Sequence, residues 1–226
     1  MTRLSRPSPN HDLRALPVSM MVLHYTGMET GKAAIERLAD PAAKGSAHYV
    51  VEEDGAVIAM VDEAKRAWHA GLSYWRGITD VNSASVGIEI VNGGHDFALP
   101  DFPETQIVAV IALSREIIAR HGIAPVNVVG HSDIAPGRKI DPGEKFPWER
   151  LARQGVGLWP AGAAPAPPDE PHAAFLLTAI GYNPDLPLET ILTEFQRRYR
   201  PARFDGVLDD ETMGLIEALA GKAAPA

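Results

Sequence analysis

The residues of this chain best suited to chemistry are two histidines placed after apolar runs and one aspartate in a loop of glycines and prolines. The densest stretch is Gly130-His131-Ser132-Asp133-Ile134-Ala135-Pro136-Gly137-Arg138-Lys139-Ile140-Asp141-Pro142-Gly143. Before it, Pro125-Val126-Asn127-Val128-Val129 is β-branched and apolar, and reads as a buried strand that delivers His131 to a strand end. Pro136, Gly137 and the Pro142-Gly143 pair force turns that let Asp141 face the same point. Lys139 and Asp141 are two apart, so in extended chain they share one face. His24 follows Val18-Ser19-Met20-Met21-Val22-Leu23 in the way His131 follows its own run. Two imidazoles and one carboxylate are a donor set for Zn²⁺ that leaves a fourth position open for water.

Each of these residues also has an ordinary reading. A single histidine at a strand end is by default a surface or hydrogen-bonding group, and only the three together make a metal site. Glu89, the one charge in Val86-Gly87-Ile88-Glu89-Ile90-Val91, fits a partly exposed edge strand. Beside a metal it would instead take a proton from water and give it to a leaving amine. Lys139 is by default a solvated loop charge, yet beside Asp141 it could stabilise an oxyanion. Asp133 reads as a cap or loop acceptor, and His48 and His69 fit a strand surface equally well.

Those side chains need a frame. Thr30 caps a short helix over 31–39 that Asp40-Pro41 ends. Segments 48–52 and 56–61 read as a hairpin turning near Asp54-Gly55. Arg66–Gly71 and Val86–Val91 are further strand candidates. Apolar positions Ile107, Val110, Ile111, Ile117 and Ile118 fit a helix over 104–121, with Gly122 as its stop. The expected fold class is α/β, a mixed central sheet flanked by helices, over residues 1–159. Residues 160–172 read as a Pro/Ala-rich linker, and 173–226 as a small three-helix unit with a marginal core that leans on the first domain. Since every candidate site residue precedes the linker, a fragment without the helical unit is expected to keep the site.

Composition excludes several classes. With 226 residues and 46% hydrophobic content, one full core plus a small second unit is possible. A net charge of −8 with no Lys/Arg cluster argues against a nucleic-acid surface. The absence of cysteine removes disulfides and thiolate ligands. No segment approaches the ~20 apolar residues of a membrane span.

The segments Leu23-His24-Tyr25-Thr26, Ala67-Trp68-His69-Ala70-Gly71, Val86-Gly87-Ile88-Glu89-Ile90 and 130–143 resemble, in order, the motifs of zinc-dependent N-acetylmuramoyl-L-alanine amidases of the AmpD/AmiD type. The resemblance covers roughly 18–155 and implies a peptidoglycan-recognition-protein-like fold. Carried over by position, it makes His24, His131 and Asp141 the zinc ligands, Glu89 the catalytic acid/base and Lys139 the stabiliser of the tetrahedral intermediate. Relatives among phage lysozymes and animal recognition proteins commonly have Cys as the third ligand, so Asp141 favours the bacterial AmpD/AmiD branch. Residues 173–220 look like the peptidoglycan-binding helical domain appended to AmiD-type members.

The implied reaction is hydrolysis of the amide between the lactyl group of N-acetylmuramic acid, or its anhydro form, and L-Ala of the stem peptide. Expected substrate contacts are Arg138, His48, Trp68, His69 and Asn92, Arg138 because a guanidinium can grip a carboxylate bidentately. The expected partner is a muropeptide or peptidoglycan fragment, acted on by a monomer with no membrane insertion. AmiD-type members are envelope lipoproteins, but this start has no apolar h-region and no cysteine to carry lipid. The expectation is therefore a cytoplasmic enzyme recycling soluble anhydro-muropeptides. The alternatives are a periplasmic amidase on intact wall and a non-catalytic peptidoglycan sensor.

Overall fold

A computed structural model describes residues 2–223. Its strands are β1 (Arg3–Ser5), β2 (His11–Leu13), β3 (Met20–Tyr25), β4 (Tyr49–Val51), β5 (Val57–Ala59), β6 (Lys65–Ala67), β7 (Ser85–Ile90) and β8 (Val128–Gly130). Its helices are α1 (Gly31–Ala39), α2 (Val81–Ala84), α3 (Glu104–His121), α4 (His131–Ile134), α5 (Trp148–Arg153), α6 (Glu170–Ile180), α7 (Leu188–Tyr199) and α8 (Asp210–Ala223). Six strands form a mixed sheet in the order β1-β5-β4-β7-β3-β8, in which only β4 and β5 run antiparallel to each other. This is the expected α/β architecture.

The central strands are buried on both faces, which is why β3 and β7 read as nearly continuous apolar runs. Alternate side chains divide between two cores. Met21, Leu23, Val86, Ile88 and Ile90 pack with Ile107, Val110, Leu113 and Ile117 of α3. Met20, Val22 and Val129 pack on the other side with Trp75, Ile134 and the C-terminal residues Leu177, Tyr182, Ile191 and Phe195. The C-terminal helices therefore share a core with the sheet.

Local signals set the element ends. Thr30 Oγ1 accepts from Ala33 N–H at 3.2 Å at the start of α1, and the backbone turns extended at Asp40. Gly122, at φ 65°, closes α3 with its N–H on Ile118 O at 2.8 Å. The expected hairpin forms as β4 and β5.

Three expectations need correction. The run Pro125–Val129 is only partly strand. Pro125 has no N–H for a ladder, residues 125–127 make a 3₁₀ turn, and β8 is Val128–Gly130. The strand expected at Arg66–Gly71 lies at Lys65–Ala67 and pairs with β2 in a separate two-stranded sheet, leaving 68–71 as loop. Short, exposed β1 and β2 carry no apolar alternation and were not expected. Finally, the Pro/Ala stretch is strapped to α8. Ala166 N–H donates to Asp210 O at 2.9 Å, and a Cβ at Gly214 would lie 1.9 Å from Ala164 O. Asp169 caps α6 by accepting from His172 N–H at 3.0 Å, so that helix starts at Glu170.

Candidate active site

Three neighbouring parallel strands, β7, β3 and β8, end side by side, and open α/β sheets form clefts at such carboxyl ends. His24 on β3 lies in register with Glu89 on β7, and Leu23 with Gly130 on β8. His131 therefore emerges beside His24 as the first residue of α4. The loop after α4 folds back, with Gly137 at φ 74°, and Ser132 N–H holds Asp141 O at 3.0 Å.

The three side chains meet. His24 Nδ1 is 3.0 Å from His131 Nδ1 and 3.0 Å from Asp141 Oδ2, and His131 Nδ1 is 3.1 Å from the same oxygen. All three residues are buried. Burial and the neighbouring His131 lower His24 to about 4, so its ring is neutral at pH 7. Burial alone would raise Asp141, but His131 and His24 hold its carboxyl well below the usual carboxylate range. His131 Nε2 donates to Ala70 O at 3.0 Å, which leaves Nδ1 as the nitrogen offered to the cluster. Three vertices of a tetrahedron with ~2.0–2.1 Å bonds lie about 3.3 Å apart, close to the triangle these atoms form. The donor set fits a small divalent cation, and it is the one group of this kind among the described residues.

Glu89 and Lys139 border a cavity of about 240 Å³ whose walls include Thr26, Met28, Arg37 and Trp68. Glu89 Oε2 is buried without a hydrogen-bond partner. Burial first, then repulsion from Asp141, pushes its carboxyl well above the usual range, with Lys139 opposing. A carboxyl raised in this way is suited to taking up and returning a proton. A larger hollow of about 580 Å³, lined by residues such as Tyr49, Glu63 and Arg120, holds none of the candidate residues.

The expected substrate contacts separate. Trp68 lines the cavity, and its indole N–H donates to Asp12 at 3.3 Å. His69 reaches the cavity, with Nδ1 3.0 Å from His24 Nε2 and Nε2 3.2 Å from Ser85 Oγ. Arg138 is exposed, and its Nη2 folds back onto the carbonyls of Ala70 and Leu72. Two expectations are overturned. His48 is 0% exposed, its Nδ1 accepting from Gly87 N–H at 2.9 Å and its Nε2 donating to Lys65 O at 3.1 Å, so no ligand reaches it. Asn92 is also buried and braces its own loop, its amide on Pro100 O at 2.8 Å and its carbonyl accepting from Gly94 N–H at 2.9 Å. Both sit at strand ends, and sequence carries no sign of which way a strand-end side chain turns.

Other residues at the site went unrecognised. Arg37 is masked as an ordinary last-turn cation of α1. Gly87 had a signal: a glycine inside a buried strand marks close approach, and a Cβ there would lie 2.5 Å from the His69 ring.

The profile of the family described as N-acetylmuramoyl-L-alanine amidase (Amidase_2) matches residues 14–144. The chain belongs to the N-acetylmuramoyl-L-alanine amidase family. This amidase is 39% identical to N-acetylmuramoyl-L-alanine amidase AmiD of Escherichia coli K12, over 91% of this chain and 83% of that protein. It is 34% identical to 1,6-anhydro-N-acetylmuramyl-L-alanine amidase AmpD of Enterobacter cloacae, over 64% of this chain and 86% of that one. Among solved structures, E. coli AmiD with anhydro-N-acetylmuramic acid-L-Ala-D-γ-Glu-L-Lys superposes with a TM-score of 0.81 at 37% identity, covering 93% of this chain and 92% of that chain. AmpDh3 from Pseudomonas aeruginosa with an anhydromuramic pentapeptide gives 0.82 at 33% identity, covering 97% and 96%. The amidase is an enzyme of the expected fold, and no helix among its described residues is long and apolar enough to cross a membrane.

Buried His48 gives this amidase a pH-dependent stability. Burial, then the Arg14 charge, lowers it to about 4. An unfolded chain binds that proton below about 6.5, so the stabilisation is complete above pH 6.5 and falls away as pH drops toward 4. The loss expected is roughly 3 kcal/mol. His48→Asn keeps an acceptor for Gly87 N–H but cannot protonate. The stability difference between wild type and His48→Asn, from denaturant unfolding, should shrink by about that amount between pH 7 and 4. A difference independent of pH would contradict the assignment.

Proposed function

We propose that this amidase is a zinc enzyme that cleaves the amide between the lactyl group of 1,6-anhydro-N-acetylmuramic acid and L-Ala, in cytoplasmic recycling of soluble muropeptides. His24 Nδ1, His131 Nδ1 and Asp141 Oδ2 would hold the metal. The observation that carries this reading is their convergence to within 3.1 Å of one another beside a carboxyl with an unpartnered oxygen. Bound there, zinc supplies a water of lowered pKa and a Lewis acid for the carbonyl. Glu89 takes the proton from the attacking water and delivers it to the amide nitrogen as the C–N bond breaks, releasing a lactyl carboxylate and the amine of L-Ala. Lys139 neutralises the charge that builds on the carbonyl oxygen. Trp68 and Met28 wall the cavity and exclude bulk water, while Arg138 steadies the 70–72 loop at its rim. Residues 1–159 carry the chemistry, and the described part of the helical unit, 173–223, braces the face of the sheet behind it. The anhydro substrates named for AmpD and bound to AmiD support the choice of substrate.

One experiment tests the reading. Purified protein is analysed for metal, then assayed on 1,6-anhydromuramoyl-tripeptide and on insoluble sacculi before and after chelation, alongside fractionation of expressing cells. Zinc near one per chain, activity lost on chelation and restored by zinc, and faster turnover of the soluble substrate are expected. Hydrolysis indifferent to chelation would overturn the metal role, and binding without hydrolysis would favour a sensor. Periplasmic recovery with preference for sacculi would overturn recycling.

A further inference from the structure

The second nitrogen of His24 is governed by a chain of hydrogen bonds that begins at the junction of α2 and β7. Buried Ser85 Oγ donates its one hydrogen to Val81 O at 2.6 Å. It can therefore meet His69 Nε2, 3.2 Å away, only as an acceptor. His69 thus carries its proton on Nε2 and turns the Nδ1 lone pair toward His24 Nε2 at 3.0 Å. Two lone pairs cannot share that contact, so His24 Nε2 is the donor, and His24 Nδ1 is the nitrogen left to bind a cation placed between it, His131 and Asp141. Two further features hold the arrangement. Asn82 Oδ1 accepts from the backbone N–H groups of His69 and Ala70, at 2.9 and 2.8 Å. Gly87 leaves room for the ring, since any Cβ there would lie 2.5 Å from it.

We propose that Ser85 and His69 form a positioning relay that fixes the tautomer and orientation of His24, a role distinct from substrate contact. The proposal rests on the reading of His24 as a metal ligand, but its core statement concerns the metal-free ring as well. An imidazole with the wrong nitrogen protonated must shed or move a proton before it can bind a cation, and outer partners of this kind typically tune metal affinity by about 10–100-fold. His69 belongs with them. It need not touch substrate to matter, which explains why a residue at the cavity edge spends both ring nitrogens inside the protein.

The test combines a tautomer measurement with metal affinity. In long-range ¹H–¹⁵N correlation spectra of the metal-free, full-length wild type, His24 Nε2 should have the shift of a protonated nitrogen and His69 Nδ1 that of an unprotonated one. An unprotonated His24 Nε2 would overturn the relay, whether or not the protein binds zinc. In chelator competition with folded variants, His69→Ala should weaken zinc binding about 10–100-fold. His69→Asn, whose Oδ1 can take the hydrogen of His24 Nε2, should stay within a few-fold of wild type. Ser85→Ala should give a mixed His24 tautomer in the metal-free spectrum. Equal losses in His69→Ala and His69→Asn would reduce His69 to packing and sink the proposal. A wild type that binds no zinc would instead remove the metal reading, with the spectrum still deciding the relay.

Discussion

Replacing Glu89 by Gln should lower kcat by ~10²–10⁴-fold while zinc content and fold stay as in wild type. Gln keeps the shape and polarity of the side chain but can neither take a proton from water nor return one to the leaving nitrogen. Glu89 stands in register with His24 on the neighbouring strand, yet it is not among the atoms that converge on the candidate metal. Its own environment favours the substitution: burial and Asp141 already press the carboxyl toward its neutral form, so removing the charge costs the fold little. His131→Ala should behave differently, losing metal and activity together, because it deletes a converging nitrogen and one of the two donors at Ala70 O. Metal analysis and steady-state kinetics on the two variants separate the roles. Near-native kcat in Glu89→Gln with zinc in place would end the proton-carrier assignment.

The second large effect is expected outside the cavity lining, at Arg198 on α7. Its guanidinium pairs with Asp133, donates to Val128 O at 3.1 Å and lies over the Trp148 ring at 3.8 Å. Asp133 is completely buried, and it also accepts from Gly130 N–H at 2.7 Å and Tyr182 OH at 2.9 Å. Arg198→Met leaves that carboxylate without its counter-charge, and breaking a buried pair from one side typically costs ~3–5 kcal/mol. For a chain of this size the melting temperature should fall by roughly 6–20 °C. Asp133 lies two residues from His131, so zinc affinity should fall as well. Adding Asp133→Asn should recover part of the stability, because the orphaned charge is gone while an acceptor remains. A melting temperature within about 2 °C of wild type, too small for such a loss, would show that the pair does not bind the C-terminal helices to the segment that carries His131.

The same contacts revise what removal of residues 165–226 should do. Because every candidate site residue precedes the linker, the sequence suggests a separable catalytic fragment. In the fold, Met20, Val22, Trp75, Val129 and Ile134 share one core with Leu177, Tyr182, Ile191 and Phe195. Cutting there would expose that face and strand Asp133, so the fragment should be insoluble or lose its metal.

What the sequence determined by itself is short-range. Thr30 and Asp40 bound α1, Gly122 ends α3, and the turn residues around Asp54 and Gly55 set the hairpin, because each depends on a few adjacent backbone groups. The order of motifs also pointed to His24, Glu89, His131, Lys139 and Asp141; in the fold His24, His131 and Asp141 converge, while Glu89 and Lys139 border one cavity. Only the tertiary structure decided which way the other polar side chains turn. His48 and Asn92 point inward to satisfy backbone groups, while His69 turns toward His24, and each choice depends on partners many residues away. It also decided that α6, α7 and α8 cover the sheet. Their amphipathic faces would suit any apolar surface, and the buried Asp133–Arg198 pair that locks them to this one joins residues whose charges look, in the sequence, like ordinary solvated ones.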